Sequence, residues 1–321
     1  MFVGCSVPGN ASGAGTEKKL KIAILAASTQ NSYNKAILDG AIKKAESLGN
    51  VSIKQFDGQF DPKIQLSQLE NLQSGQFDGV IVVPNDGVSL ASAFPLVSGL
   101  PVVTVTNPIG PNILKMDTQV EGVISTIGHS MAETGKVQAE DVVKYCQNLD
   151  PCNVAIMVGF LSAPLDVALI KAYHEALDNH SNIHIVSTTE GGYERNKAMS
   201  AMANVIQANP HLHAVLSNTD QQTSGIEVAL TAAGVKPSSV YLTGTGGTID
   251  AVEGVRSGQW KSTYSAFPVQ RGQAAVEELY KHLTGGEVKT SVDADLLGPV
   301  PAWITDEVLK SSPDFKSDWN G

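Results

Sequence analysis

At 321 residues with 42% apolar side chains, the chain has the length for two domains of ordinary size, each burying its own core. A formal net charge of −10 without any cluster of Lys or Arg excludes a nucleic-acid surface, whose phosphates demand concentrated cations. No apolar run approaches the roughly 20 residues of a membrane-spanning helix.

The first residues stand apart from the rest. Phe2-Val3-Gly4-Cys5-Ser6 resembles the end of a bacterial lipobox, in which small residues precede a cysteine that becomes lipidated. Residues 8–16 are rich in Gly, Ser, Ala and Asn, the composition of a flexible tether. The charged part and most of the apolar part of a signal peptide are missing, so the chain is expected to begin inside one. On that reading Cys5 carries a lipid anchor, residues 1–19 are the tether, and the body works outside the cytoplasm, in the periplasm or on the outer face of the cell membrane. The other reading is a frayed terminus with one chance cysteine.

Residues 22–27 are a continuous small and apolar run, as a parallel strand buried on both faces requires. A polar loop from Ser28 to Asn34 follows, with one aromatic, Tyr33. From Lys35 the apolar residues Ala36, Ile37, Gly40, Ala41, Ala45 and Leu48 recur at helical spacing. A polar loop leaving the carboxyl end of a buried strand is where open α/β sheets place ligands.

The same alternation continues along the chain. Strands are predicted over residues 51–56, 79–83 and 101–105, with helices over 62–73 and from the Pro84-Asn85-Asp86-Gly87 turn to Val97. A long helix is predicted over 120–145. Strands over 154–158, 183–188, 214–217, 240–243 and 260–264 follow, separated by helices over 164–179, 194–207, 221–233 and 249–257. An amphipathic helix over 268–283, a last strand over 292–297 and a surface helix and coil over 303–321 close the chain. Strands alternating with crossover helices mean parallel sheets, and the breaks divide the chain into two similar lobes without a literal repeat.

Cys146 and Cys152 bracket Gln-Asn-Leu-Asp-Pro at a helix-to-strand turn. The spacing allows a disulfide, two free buried thiols being the alternative. Enzyme signatures fail when tested. Residues 243–248 (TGTGGT) lack the Lys-Ser/Thr ending of a phosphate loop and read as a tight turn. His211 and His213 have no nearby Cys or acidic cluster to complete a metal site, and Ser28 has no His partner for nucleophilic attack. Catalysis, a cofactor and a metal are all unexpected.

With these residues placed, the chain resembles the type 1 periplasmic sugar-binding proteins, the ribose-binding group in particular. The resemblance covers most of residues 20–297. Ile22-Ala23-Ile24 through Asp39-Gly40-Ala41 and Asp78-Gly79-Val80-Ile81-Val82-Val83-Pro84 carry it first. Pro101-Val102-Val103-Thr104, Asn218-Thr219-Asp220 and Leu242-Thr243-Gly244 continue it in order. It implies an α/β fold of two Rossmann-like lobes with parallel sheets, joined by a three-crossover hinge and closing over a ligand. Carried over, the crossovers fall near Asp117-Thr118, Ala266-Phe267 and Leu297-Gly298. Residues 20–117 plus 267–297 then form the N-terminal lobe, and 118–266 plus 298–321 the C-terminal lobe.

Pocket positions transfer one at a time. Asn31, Tyr33 and Asn34 stand where the family has an amide and two aromatics. An aromatic face covers sugar C–H surface while amides bridge hydroxyls; alternatively these Asn residues cap the coming helix. Thr106-Asn107 replace an Asp-Arg pair, exchanging charge-assisted bonds for neutral ones. In the second lobe Phe160 and Asp166 follow the 154–158 strand, and Leu169 replaces an arginine. Tyr193 matches an aromatic position, or packs as a loop aromatic on its own helix. Thr219 stands where an Asn is usual, beside Asn218; Gly246 replaces an Asp, and Ala266 a Gln at the crossover next to Phe267. Ser28 and Asn85 complete the candidate set.

The resemblance implies a monomeric, lipid-anchored extracytoplasmic solute-binding protein of an ABC importer. Its ligand would be a small neutral hydroxylated solute, a monosaccharide or polyol other than ribose, handed to the permease after hinge closure. The alternative is a sensor protein that signals to a chemoreceptor or histidine kinase.

Overall fold

Leu20–Ala26 is apolar at every position but Lys21, and this run forms the first strand, β1, buried on both faces. Its side chains alternate: Ile22 and Ile24 enter one layer of core, Ala23 and Leu25 the other. The computed structural model describes residues 18–72, 76–94, 97 and 99–321. Cys5 and all but the end of the expected tether lie outside the described residues.

In chain order β1 is followed by α1 (Ser32–Leu48), β2 (Val51–Asp57), α2 (Pro62–Asn71), β3 (Gly79–Val82), α3 (Gly87–Leu90), β4 (Val102–Thr106) and β5 (Val123–Gly128). Next come α4 (Met131–Cys146), β6 (Cys152–Val158), α5 (Pro164–Leu177), β7 (Ile183–Glu190), α6 (Arg195–Ala208) and β8 (Ala214–Ser217). Then α7 (Asp220–Ala232), β9 (Tyr241–Gly246), α8 (Ile249–Arg256) and β10 (Ser262–Ser265) follow. The last elements are α9 (Pro268–Leu283), β11 (Ser291–Asp293), β12 (Trp303–Thr305) and α10 (Asp306–Ser311).

Two six-stranded sheets result, ordered β2-β1-β3-β4-β5-β11 and β7-β6-β8-β9-β10-β12. The two orders correspond strand for strand. Every pairing is parallel except that of β12, which runs antiparallel to β10. In the first lobe α1 and α9 share one face of the sheet, where Ile37, Ala41, Ala275, Val276 and Leu279 meet Ile22 and Ile24. In the second, α6, α7 and α8 cover one face, and α4 with α5 covers the other. The chain passes between the lobes three times: between β5 and α4, between β10 and α9, and between β11 and β12.

The helix expected over residues 120–145 begins only at Met131, because Val123–Gly128 is β5, paired with β4. Val123, Ile124, Thr126 and Ile127 are β-branched and fenced by Gly122 and Gly128, a composition that favours a pleated, buried strand. The first crossing therefore lies at residues 129–130 rather than near Asp117-Thr118, and the first sheet runs on through Gly128. The strand expected over 292–297 is shorter, ending at Asp293 and continuing as a 3-10 turn, Ala294–Leu296. The tail expected as surface helix and coil also supplies the edge strand β12, and its Trp319 is only 6% exposed. Cys146 closes α4, Cys152 opens β6, and the two are joined in a disulfide.

Candidate ligand-binding site

A cavity of about 450 Å³ lies between the lobes, walled by residues that follow β1, β2, β3 and β4 on one side and β6, β7, β8 and β10 on the other. These are the carboxyl ends of parallel strands, where the peptide chain turns back and leaves a crevice. Ten of the residues expected from the sequence come together on its wall: Asn31, Tyr33, Asn34, Asn85, Thr106 and Asn107 from the first lobe, and Phe160, Tyr193, Asn218 and Thr219 from the second.

On the first-lobe wall the amides are fixed by the backbone they cap. Asn31 is the N-cap of α1, its Oδ1 accepting from Asn34 N at 3.2 Å and Asn34 Nδ2 at 3.1 Å. Asn34 Oδ1 accepts from Ala27 N at 3.1 Å. Capping and cavity lining are thus the same residues doing both. Asn85 Nδ2 donates to Ala27 O at 3.2 Å and Asn107 Nδ2 to Pro84 O at 3.3 Å, which ties neighbouring loops together. The Tyr33 hydroxyl sits 3.0 Å from Thr106 Oγ1.

The second-lobe wall is organised from behind by Asp166. It is fully buried, its Oδ2 accepting from Tyr193 Oη at 2.6 Å and Phe160 N at 2.8 Å, its Oδ1 from Asn218 Nδ2. Burial pushes this carboxyl up to about 6, against the pull of those donors. Burial and the adjacent carboxylate drive the Tyr193 phenol well above its ordinary range, so it remains a neutral donor. The Tyr193 ring lies flat against the backbone at Gly159, where a Cβ would come within 2.0 Å of its Cζ. Only glycine admits the ring there.

Backbone strain concentrates on this cavity. Among the described residues the non-glycine positions with positive φ are Gln59, Phe60, Thr106, Tyr193 and Phe267; Phe60, Thr106 and Tyr193 are on the wall. A β-branched Thr at φ +74° is a rare conformation, kept where the surrounding structure over-determines it, as at ligand sites.

The two walls touch. Phe60 of the first lobe packs against Phe160 and Tyr193 of the second at centroid separations of 5.9 and 5.6 Å. Gln221 Nε2 donates to Ser32 Oγ at 3.0 Å across the cleft.

Against known sequences, the model of the periplasmic binding protein domain matches residues 22–287. The chain belongs to the periplasmic binding protein family. Among the relatives of this periplasmic binding protein is the ribose import binding protein RbsB of Escherichia coli K12, 24% identical over 277 residues, which covers 86% of this chain and 88% of that one. The D-allose-binding periplasmic protein of the same organism is 26% identical over 284 residues, covering 86% and 83%. A solved ABC transporter solute-binding protein from Bacillus halodurans with bound myo-inositol superposes with a TM-score of 0.78 at 22% identity, covering 93% of this chain and 98% of that chain.

Four expected residues of this periplasmic binding protein stand off the cavity wall. Asp166 lies behind Tyr193 and Asn218, with both carboxylate oxygens already engaged. Ser28 is buried in the β1–α1 loop, its Oγ accepting from Gln30 N at 3.3 Å. Phe267, at φ +44°, packs its ring over Gly298 into the second-lobe core. Gly246 is covered by Asp220 and by Trp319.

The wall also holds residues that sequence reasoning passed over: Phe60, Asp86, Gln221, His129 and Arg271. Phe60 leaves the carboxyl end of β2, so the rule that singled out the loop after β1 applies to it equally. His129 falls within the expected helix over 120–145, and Arg271 within a helix singled out only for its apolar spacing. Asp86 caps α3, its Oδ1 accepting from Val88 N at 2.9 Å and Ser89 N at 3.0 Å. Arg271, 1% exposed, donates from one terminal nitrogen to His129 Nδ1 at 2.8 Å. Burial and then Arg271 hold the His129 imidazole below its ordinary range, against the pull of Asp295, whose Oδ1 lies 2.9 Å from the same Nδ1. His129, Arg271 and Asp295 stand at the three different crossings, so this polar cluster is the hinge's own core. Among the described residues no group of His, Cys, Asp and Glu has the geometry to hold a metal ion.

Proposed function

We propose that this chain is the extracytoplasmic solute-binding protein of an ABC importer, and that it closes its lobes over a small neutral hydroxylated solute, a monosaccharide or polyol. The single observation that carries the reading is the make-up of the interlobe cavity. Four aromatic rings, Tyr33, Phe60, Phe160 and Tyr193, share it with the amides of Asn31, Asn85, Asn107, Asn218 and Gln221. Rings cover C–H faces and amides serve hydroxyls as both donor and acceptor, which is the recognition a sugar needs. The anion and the cation on the wall each hydrogen-bond within the protein, Asp86 to the start of α3 and Arg271 to His129. Relatives named for ribose and allose, and a structural neighbour holding myo-inositol, support the same solute class.

Thr106 and Asn107 bear on which sugar. One bonds Tyr33 and the other Pro84, and neither offers the charge-assisted bonds that an Asp-Arg pair would give. We therefore place ribose outside the preferred ligands. The lipid anchor at Cys5 and the permease as partner belong to the same proposal, supported by the lipobox-like residues and by the family.

A thermal-shift screen over monosaccharides, polyols, nucleosides and amino acids tests the solute class. A sugar or polyol at 100 times its dissociation constant should add about 2.7 kcal/mol of stability. Shifts produced only by amino acids or nucleosides would overturn the reading.

A further inference from the structure

The last residues of the chain return to the cleft. Trp319 donates from Nε1 to Gly246 O at 3.2 Å, its carbonyl accepts from Ile249 N at 3.1 Å, and Ser317 Oγ donates to Gly247 O at 2.5 Å. Upstream, Phe315 O accepts from Arg256 and its ring joins the second-lobe core. The tail is thereby fastened to the second lobe. Its tip reaches the first lobe. The Trp319 indole meets the Tyr33 ring edge-on, with centroids 5.8 Å apart and planes at 69°, and Asp318 Oδ2 accepts from Gln270 Nε2 of α9 at 2.8 Å.

Three features make this arrangement specific. The indole is 6% exposed, so it is packed and not draped on the surface. Its seat exists because residue 246 is glycine: a Cβ there would stand 3.0 Å from Trp319 Cζ2 and 2.8 Å from Asp220 Oδ2. The ring it touches is Tyr33, whose hydroxyl bonds Thr106 on the cavity wall. Trp319 itself is outside the cavity and reaches it only through Tyr33.

We propose that Trp319 is an interlobe latch: a positioning residue that, from the second lobe, holds the first-lobe Tyr33 in its binding orientation, and that engages only when the lobes come together. Tyr33 bonds Thr106 within the first lobe, but its outer edge is braced from the opposite lobe. Separation of the lobes breaks the indole contact and the Gln270–Asp318 bond together. Ligand held by Tyr33 and lobe closure are then coupled through one aromatic pair, an interaction worth about tenfold in an equilibrium constant. The coupling to ligand rests on the proposed sugar or polyol site, whereas the coupling to closure does not.

Two measurements test the latch. With any solute that the thermal-shift screen identifies, present near its dissociation constant, small-angle scattering should give a larger radius of gyration for Trp319→Ala than for the unsubstituted chain. Gln270→Ala, a change of a half-buried side chain at the same strap, should shift it in the same direction with the melting temperature retained. Unchanged scattering in both variants would overturn the proposal, whatever the ligand proves to be.

The second measurement is a double-substitution cycle read by calorimetry and by dissociation rate, with D-allose and myo-inositol as probes. Trp319→Ala should weaken the bound probe about tenfold, mainly through faster release, and Trp319→Phe should recover most of the loss. In a Tyr33→Ala background the same Trp319→Ala change should alter affinity less than about twofold. Equal losses in both backgrounds would show that Trp319 does not act through Tyr33. Binding of neither probe by the unsubstituted chain would count against the sugar reading and leave the scattering result to decide the latch.

Discussion

Two tyrosines on opposite lobes, Tyr33 and Tyr193, present aromatic surface to the cavity while their hydroxyls are engaged by Thr106 and Asp166. Replacing either with Ala removes a ring of the wall and little of either core. Tyr33→Ala and Tyr193→Ala should each weaken sugar or polyol binding by about tenfold or more by calorimetry, with cooperative unfolding retained. Unchanged affinity in both would remove them from the site. Asp220 gives a second residue-scale expectation. It is fully buried beneath β9, bonded to Thr263 Oγ1 and Thr248 N, each at 2.8 Å, and burial lifts its carboxyl to about 6. The folded chain therefore takes up a proton, as pH falls from about 6 to 4, that the unfolded chain still releases; stability gains as pH falls through 6. The gain is at most about 3 kcal/mol. The difference in melting temperature between the unsubstituted chain and Asp220→Asn should thus move in favour of the former between about pH 7.5 and 5. A constant difference would place the proton elsewhere. Residue identity alone separated the aromatic and amide loops well, because position at a strand's carboxyl end needs only local order. It could not tell Asp166 in the wall from Asp166 behind it, since that depends on where the distant Tyr193 and Asn218 arrive.

Among elements, the alternation of apolar runs and amphipathic stretches was legible nearly throughout, and α9 runs over the predicted residues 268–283. The one large misreading was β5. Its β-branched residues adjoin the start of α4, and with only two residues between them the strand-to-helix change leaves no polar loop to mark it. The second lobe supplies the missing logic: β10 occupies the same place in its sheet and likewise precedes a crossing. A strand was required where a helix was read. The disulfide belongs to this scale, because it ties the end of α4 to the start of β6. Replacing both Cys146 and Cys152 with Ser opens a short loop and should lower stability by about 2 kcal/mol in urea titration. Ligand affinity should stay within about twofold, as neither cysteine lines the cavity. A large loss of affinity would mean that the bridge also shapes the second-lobe wall.

At the scale of the whole molecule, two sheets of identical strand order meet at the ends where their loops are polar, and the chain crosses between them three times. Three separate chain segments thus join the lobes. His129, Arg271 and Asp295, one from each crossing, give that junction a polar core. The number of lobes was legible as rhythm, whereas the crossings came only from the family resemblance and the first of them lies later than expected. The buried hinge cluster was not legible, because its members lie far apart in sequence and meet only when all three crossings are in place. That threading has one more consequence, in time. Lys44 of α1 is bonded to Glu277 of α9 across 233 residues of chain, and β5 gains its outer neighbour only when β11 is made. Closing so long a loop adds only modestly to the entropy of folding but defers its contacts. The half of the protein that leaves the ribosome first is completed among the last.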